Sequence, residues 1–169
     1  MNVERAREFL LSLPHVVETE QWGGLVFWVG DKAIGGKMFV MMNFDEAGGN
    51  PIAYAAGQER FHELCEREGM IPAPYFARIF WVAAQSWGAL RDREWEEELR
   101  AAHAITLEKL PAKVRAALQL PAKELKQAIA AGRKRREEWE AKEVVRKAEK
   151  QKARLASAAA RKDKKATGQ

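Results

Sequence analysis

The sequence is poor in the residues that carry most enzyme chemistry: one cysteine, three histidines and three serines among 169 residues. The lone thiol, Cys65, cannot build an intrachain disulfide framework and fits a reducing compartment. Ser12, Ser86 and Ser157 stand outside any G-x-S-x-G elbow, so an activated serine is not expected. His15, His62 and His103 fall in separate segments. No H-x-x-x-H, C-x-x-C or EF-loop spacing occurs, so no metal site is expected. Cys65 lies three residues from His62, but it shares a helical face with Phe61 and Leu64 and reads as core. Long apolar runs are missing too, and none approaches the roughly 18 residues of a spanning helix. The opening "MNVERAREFLLSLP" carries Glu4, Arg5, Arg7 and Glu8 before a very short apolar stretch, which is neither a signal peptide nor an anchor. "GDKAIGGK" has glycines and a lysine, but Met38 follows Lys37, so the phosphate-cradle pattern fails and hairpin turns are expected. These absences point to a soluble cytoplasmic protein with no catalytic residues, no cofactor and no membrane contact.

Apolar residues are plentiful, at 47%, and six Trp and seven Phe supply a substantial core. The net charge of +5 hides a division. Residues 1–120 hold 13 Lys/Arg and 17 Asp/Glu, a net of −4; residues 121–169 hold 16 and 7, a net of +9. Two regions are therefore expected: a mildly acidic domain over 1–120 and a basic Ala/Lys/Arg/Glu-rich tail over 121–169, helical or disordered.

Residues 3–13 place Val3, Ala6, Phe9, Leu10 and Leu13 on one helical face, with Asn2 as N-cap and Pro14 as the stop. "GLVFWVGDKAIGGKMFVMMNF" predicts two or three short antiparallel strands. "DEAGGNP" follows as a loop and "PIAYAA" as another strand. "QERFHELCEREG" predicts a helix with Phe61, Leu64 and Cys65 inward and Gly69 as C-cap. "ARIFWVAA" predicts a strand. Asp92 is expected to cap a helix whose buried face carries Trp95, Leu99, Ala102, Thr106 and Leu110. After Pro111, "AKVRAAL" predicts a short helix. The sum is an α+β layer fold. In "PAPYFARIFWVAA" four rings surround Arg78. Strand alternation would send Arg78 and Phe80 to one face, with the arginine stem over a ring, and Ile79 and Trp81 to the other. Trp81 reads as core, and Arg78 as the best single functional contact of this region. In the tail, the apolar positions are too sparse for a sustained heptad, so a coiled coil is not expected. It is either a solvated helix or a basic arm that orders on a polyanion.

The order of "REFLLSLPHVVETEQWGGLVFWVG", "GGKMFVMM", "ERFHELCEREGMIPAPYFARIFWVA" and "LEKLPAKVRAAL" resembles the MmcQ/YjbR family over residues 1–120. The resemblance implies a CyaY-like fold, a twisted antiparallel sheet packed against helices, here followed by a basic helical extension. It also implies DNA binding, with strand-and-loop wings as the contact. The chain departs from that pattern at three positions: Ala55 stands where members carry a basic residue, and Ile79 and Phe80 stand where a basic residue and a His precede the tryptophan. The function this implies is non-enzymatic binding of DNA or RNA with low sequence specificity. Lys32, Lys37 and Arg78 would add contacts from the sheet, while Arg133, Lys134, Arg135 and Arg136 would hold phosphates from the tail. The alternative is a protein- or small-ligand-binding module with no nucleic acid role, favoured by the apolar replacements.

Overall fold

The computed structural model describes the backbone of residues 1–43 and 49–166 and the side chains of those up to 154. Of the loop expected at 45–51, residues 45–48 lie outside the described residues. The chain divides into two units, Met1–Ala128 and Ile129–Gln169.

The first unit is built on a six-stranded antiparallel sheet of order β1-β2-β3-β4-β6-β5. Its strands are β1 (Val16–Gln21), β2 (Gly24–Val29), β3 (Lys37–Asn43), β4 (Ile52–Ala55), β5 (Met70–Pro72) and β6 (Trp81–Ala84). The helices are α1 (Val3–Ser12), α2 (Gln58–Cys65), α3 (Asp92–Glu108), α4 (Ala112–Leu118) and α5 (Ala122–Ala166). Helix α5 begins in the first unit and supplies the described part of the second.

Every strand alternates two faces. One face, with Leu25, Phe27, Val29, Met42, Ile52, Tyr54 and Val82, meets the apolar sides of all four short helices. Ala6 and Leu10 come from α1, Leu64 from α2, Trp95, Leu99 and Ala102 from α3, and Val114 from α4. Trp95 is the anchor: it is fully buried, stands edge-on to Tyr54 and Trp87, and donates its indole N–H to the Trp87 carbonyl at 2.9 Å. The opposite face is covered differently. Its apolar cluster of Met38, Met41, Ala53, Ala55, Ile71, Ala73, Phe76, Trp81 and Ala83 contains no helical residue. Aromatic rings lie down on the sheet and roof it themselves. Trp28 leans across its own face to donate its N–H to Thr19 Oγ1 at 2.8 Å, beside Val26, which Thr19 faces in the β1–β2 ladder. Trp81 lies against Phe76, centroids 5.2 Å apart.

Several local expectations are corrected. "VVETEQ" is strand β1 and "MIP" is strand β5, two elements that the sequence pattern does not announce. Helix α2 ends at Cys65 with Glu66 as its C-cap; Gly69 sits beyond it at φ 79, in the turn into β5. Asp92 is the first residue of α3 rather than its cap: Arg91 holds the cap position, and its N–H donates to Glu94 Oε2 at 2.9 Å. Asp92 instead pairs with the N-terminal amine and with Arg5. The segment before Trp81 is not a strand. Ala77–Ile79 form a 3-10 turn and Phe80 adopts the left-handed region at φ 61, so the ladder starts only at Trp81.

Candidate nucleic-acid interface

Three basic residues of the first unit belong to the expected interface, and the structure distributes them. Lys32 lies in a 3-10 turn, Lys32–Ile34, started by Asp31, whose carboxylate accepts the Ala33 N–H at 2.7 Å. The Lys32 ammonium stands 5.0 Å from the centre of the Trp28 ring, a cation–π distance. Lys37 opens β3 and donates to the Lys109 carbonyl at 2.8 Å, answering one of the last carbonyls left over by α3. Arg78 is exposed in the 77–79 turn and makes no ion pair among the described residues. It does not lie over Phe80: that ring packs edge-on against Phe61 with centroids 5.7 Å apart. The cause is the left-handed Phe80, which turns its side chain away from the alternation a strand would impose.

The four rings around Arg78 therefore separate. Trp81 is buried, Phe76 and Phe80 are half-buried, and only Tyr75 is exposed, at 99%. Nothing in this loop forms a multi-ring stacking platform.

Between the two halves of the sheet lies a cleft of about 480 Å³. Its origin is a break in strand pairing. The β2–β3 ladder runs to Val29–Lys37, with a bulge at Phe39 that lets Phe39 and Val40 both enter the core. The β3–β4 ladder stops at Val40–Tyr54. The β4–β6 ladder continues to Ala55–Trp81. Past Val40 and Tyr54 the two strand pairs separate. Trp28 and Met38 then wall one side, Ala55 and Trp81 the other, and Ile105 and Thr106 of α3 show through the gap. Gly57 allows this close approach, since a Cβ there would stand 3.0 Å from the Ile105 side chain, and its φ of +79 favours glycine in any case. Of the three residues that depart from the resembled pattern, Ala55 and Ile79 line this cleft; Phe80 does not.

In the second unit, Arg133, Lys134, Arg135 and Arg136 are all exposed on α5. Four consecutive helical residues point in four directions, so they form a belt of charge rather than a stripe. Arg136 also bonds Glu140 at 2.9 Å, one turn on. Trp139 lies three and four residues after Arg136 and Arg135, on the same side of the helix, and is 63% exposed. In the sequence Trp139 reads only as one of the sparse apolar positions. The signal that singles it out is its setting: a tryptophan in a segment too poor in apolar partners to bury it. The unit as a whole holds 14 Lys/Arg and 6 Asp/Glu, a net of +8.

Among the described residues there is no group of three or more His, Cys, Asp or Glu that could hold a metal ion. Cys65 is half-buried and burial pushes its thiol pKa up, away from the reactive thiolate. No described helix is long and apolar enough to cross a membrane.

A family model described as YjbR matches residues 11–105. A crystal structure of a Deinococcus radiodurans protein carrying the family domain DUF419 is similar, with a TM-score of 0.60 and 24% identity. The similarity covers 71% of this chain and 89% of that one, and shows a shared α+β fold. No curated protein matches the chain.

Proposed function

The chain belongs to the YjbR family, and from that premise we propose that it is a non-enzymatic cytoplasmic protein that binds DNA or RNA with little sequence specificity through the basic helix of its second unit. The observation that carries the reading is the exposed belt Arg133–Arg136 with Trp139 one turn further on. Single-strand binding without sequence preference needs those two ingredients, cations that follow the backbone and a ring on which a base can stack. The first unit contributes little charge: it carries 15 Lys/Arg against 18 Asp/Glu. Of its three expected contacts, Lys32 stands over a ring and Lys37 gives one N–H to a carbonyl, while Arg78 is exposed and makes no ion pair among the described residues.

Lysine and arginine that neutralise phosphates release counterions, so the affinity of such an interface falls steeply with salt. The test is fluorescence anisotropy of a labelled DNA duplex and a labelled single-stranded RNA across a salt series. Because the four point around the helix, a duplex on one side meets about two of them, so replacing Arg133, Lys134, Arg135 and Arg136 together by Gln is expected to flatten the duplex salt slope by about 2, roughly one for each phosphate no longer neutralised. Gln keeps the helical propensity, so the helix itself is retained. An unchanged slope would remove α5 from the interface. An absence of binding by the native chain at low salt would end the reading.

A further inference from the structure

We propose that the cleft between the β2–β3 hairpin and the β4–β6 pair is a binding site for a small organic anion with an apolar body, an alkyl or aryl carboxylate. This site is separate from the nucleic-acid reading and does not depend on it.

The cleft has the size of a metabolite site, at about 480 Å³, within the roughly 300–1,000 Å³ that small-molecule sites occupy. Its walls are apolar and rigid. Trp28 is pinned by its hydrogen bond to Thr19, and Trp81 is packed on Phe76. Ile79 stands at the mouth, 57% exposed, held out by the 3-10 turn that Phe80 closes in the left-handed region. A bulky apolar side chain left exposed and lining a cleft is where a ligand would recover buried area. Ile105 forms the base.

The charge around this apolar body has one sign. Lys37 and Lys109 are the ionisable residues of the lining, and no carboxylate lines it. Lys37 spends one N–H on the Lys109 carbonyl and keeps two for a ligand. That same bond offsets the negative end of α3, which would otherwise repel an anion from this end of the helix. The rim therefore accepts a carboxylate while the walls accept its hydrocarbon, and it disfavours an ammonium of the same length.

The probes are octanoate, 1-octanol and octylammonium, titrated by calorimetry into the full chain. Octanoate is expected to bind about tenfold more tightly than octanol, the discrimination a charge-assisted hydrogen bond supplies. Octylammonium should bind more weakly than octanol. Lys37→Met and Lys109→Met together, changes at two exposed residues, are expected to bring octanoate to the level of octanol, and either change alone to narrow the gap. Ala55→Leu is expected to weaken all three by filling the cleft, and thermal unfolding of that variant checks that it folds. Equal affinity for octanoate and octanol in the native chain would overturn the anion assignment. Octanoate binding undiminished in a folded Ala55→Leu chain would overturn the cleft as the site, as would no binding at about 1 mM, the weak end of the useful affinity scale.

Discussion

The two units of this chain solve opposite problems. The Met1–Ala128 unit carries a net charge of −3 and hides most of its large rings, while the Ile129–Gln169 unit carries +8 and leaves Trp139 outside. The chain average of +5 describes neither. A basic pI argues for a polyanion partner only in the region that holds the charge, and here that region lies outside the folded sheet. The contrast extends to what holds each unit together. The sheet and its helices rest on buried apolar area. In the second unit, helix propensity and pairs such as Arg136–Glu140 and Arg146–Glu143 do most of the stabilising, each worth only a few tenths of a kcal/mol.

The largest expected effect comes from attacking the apolar unit at its centre. Trp95→Ala removes the central ring of the first unit and leaves the Trp87 carbonyl without its donor, so a loss of about 3–5 kcal/mol is expected in denaturant unfolding. The fraction that remains folded should bind nucleic acid with the native salt slope, because the proposed contacts lie in the other unit. A slope that collapsed with the sheet would merge the two units functionally.

In the second unit, one ring separates stacking from charge. Trp139→Ala is expected to weaken single-stranded RNA binding by about 1–3 kcal/mol, the range for one base stacked on an aromatic side chain. Duplex affinity should barely change, since paired bases are not available to stack. Equal losses on both substrates would assign Trp139 a helix-stabilising part instead.

The smallest expected effect is a pH dependence confined to the first unit. His103 is buried on α3, where its Nε2 meets the Pro14 carbonyl at 2.9 Å and its ring stands edge-on to Phe39. Burial lowers its pKa below the ordinary 6.5. The unfolded chain takes up a proton at the ordinary value, and the folded chain resists until a lower pH. The stability from His103 is therefore complete above 6.5 and is lost as pH falls through the depressed value. Unfolding free energy measured from pH 7.5 down to 5 should show that decline, and a His103→Gln chain should show less of it. Nucleic acid binding through α5 should not follow the same curve, because the unit holds no histidine.

Much of the fold is legible in the sequence where periodicity is strong. The face of α3 expected to be buried is the one that packs on the sheet, and "GDKAIGGK" does join the two strands of a hairpin, β2 and β3, through one connection that holds a 3-10 turn rather than through tight turns. The misses have physical causes. In β1, Glu18 and Glu20 interrupt the apolar pattern because it is an edge strand, where charge discourages further pairing. β5 has three residues, too few for any period to show. The expected placement of Arg78 fails because one residue, Phe80, takes a backbone conformation rare for a bulky side chain. The cleft is the deepest miss. It exists because one ladder ends early beside a bulge, a relation between three strands that no local pattern encodes. The departures at Ala55 and Ile79 mark two of its residues without revealing that they share a wall. Glu98 is a further surprise: the last of three consecutive glutamates on α3, yet buried between Tyr54 and Arg60, with its pKa raised by burial.

Nucleic acid is expected to meet the second unit and not the sheet, and everything proposed for nucleic-acid binding rests on that division. The decisive measurement is photocrosslinking of a 5-iodouridine-substituted single-stranded RNA to the full chain, followed by mass spectrometry of the crosslinked peptides. Crosslinks should concentrate on the peptide containing Trp139. Crosslinks concentrated instead on Tyr75 or Trp22, exposed rings among the described residues of the first unit, would contradict it.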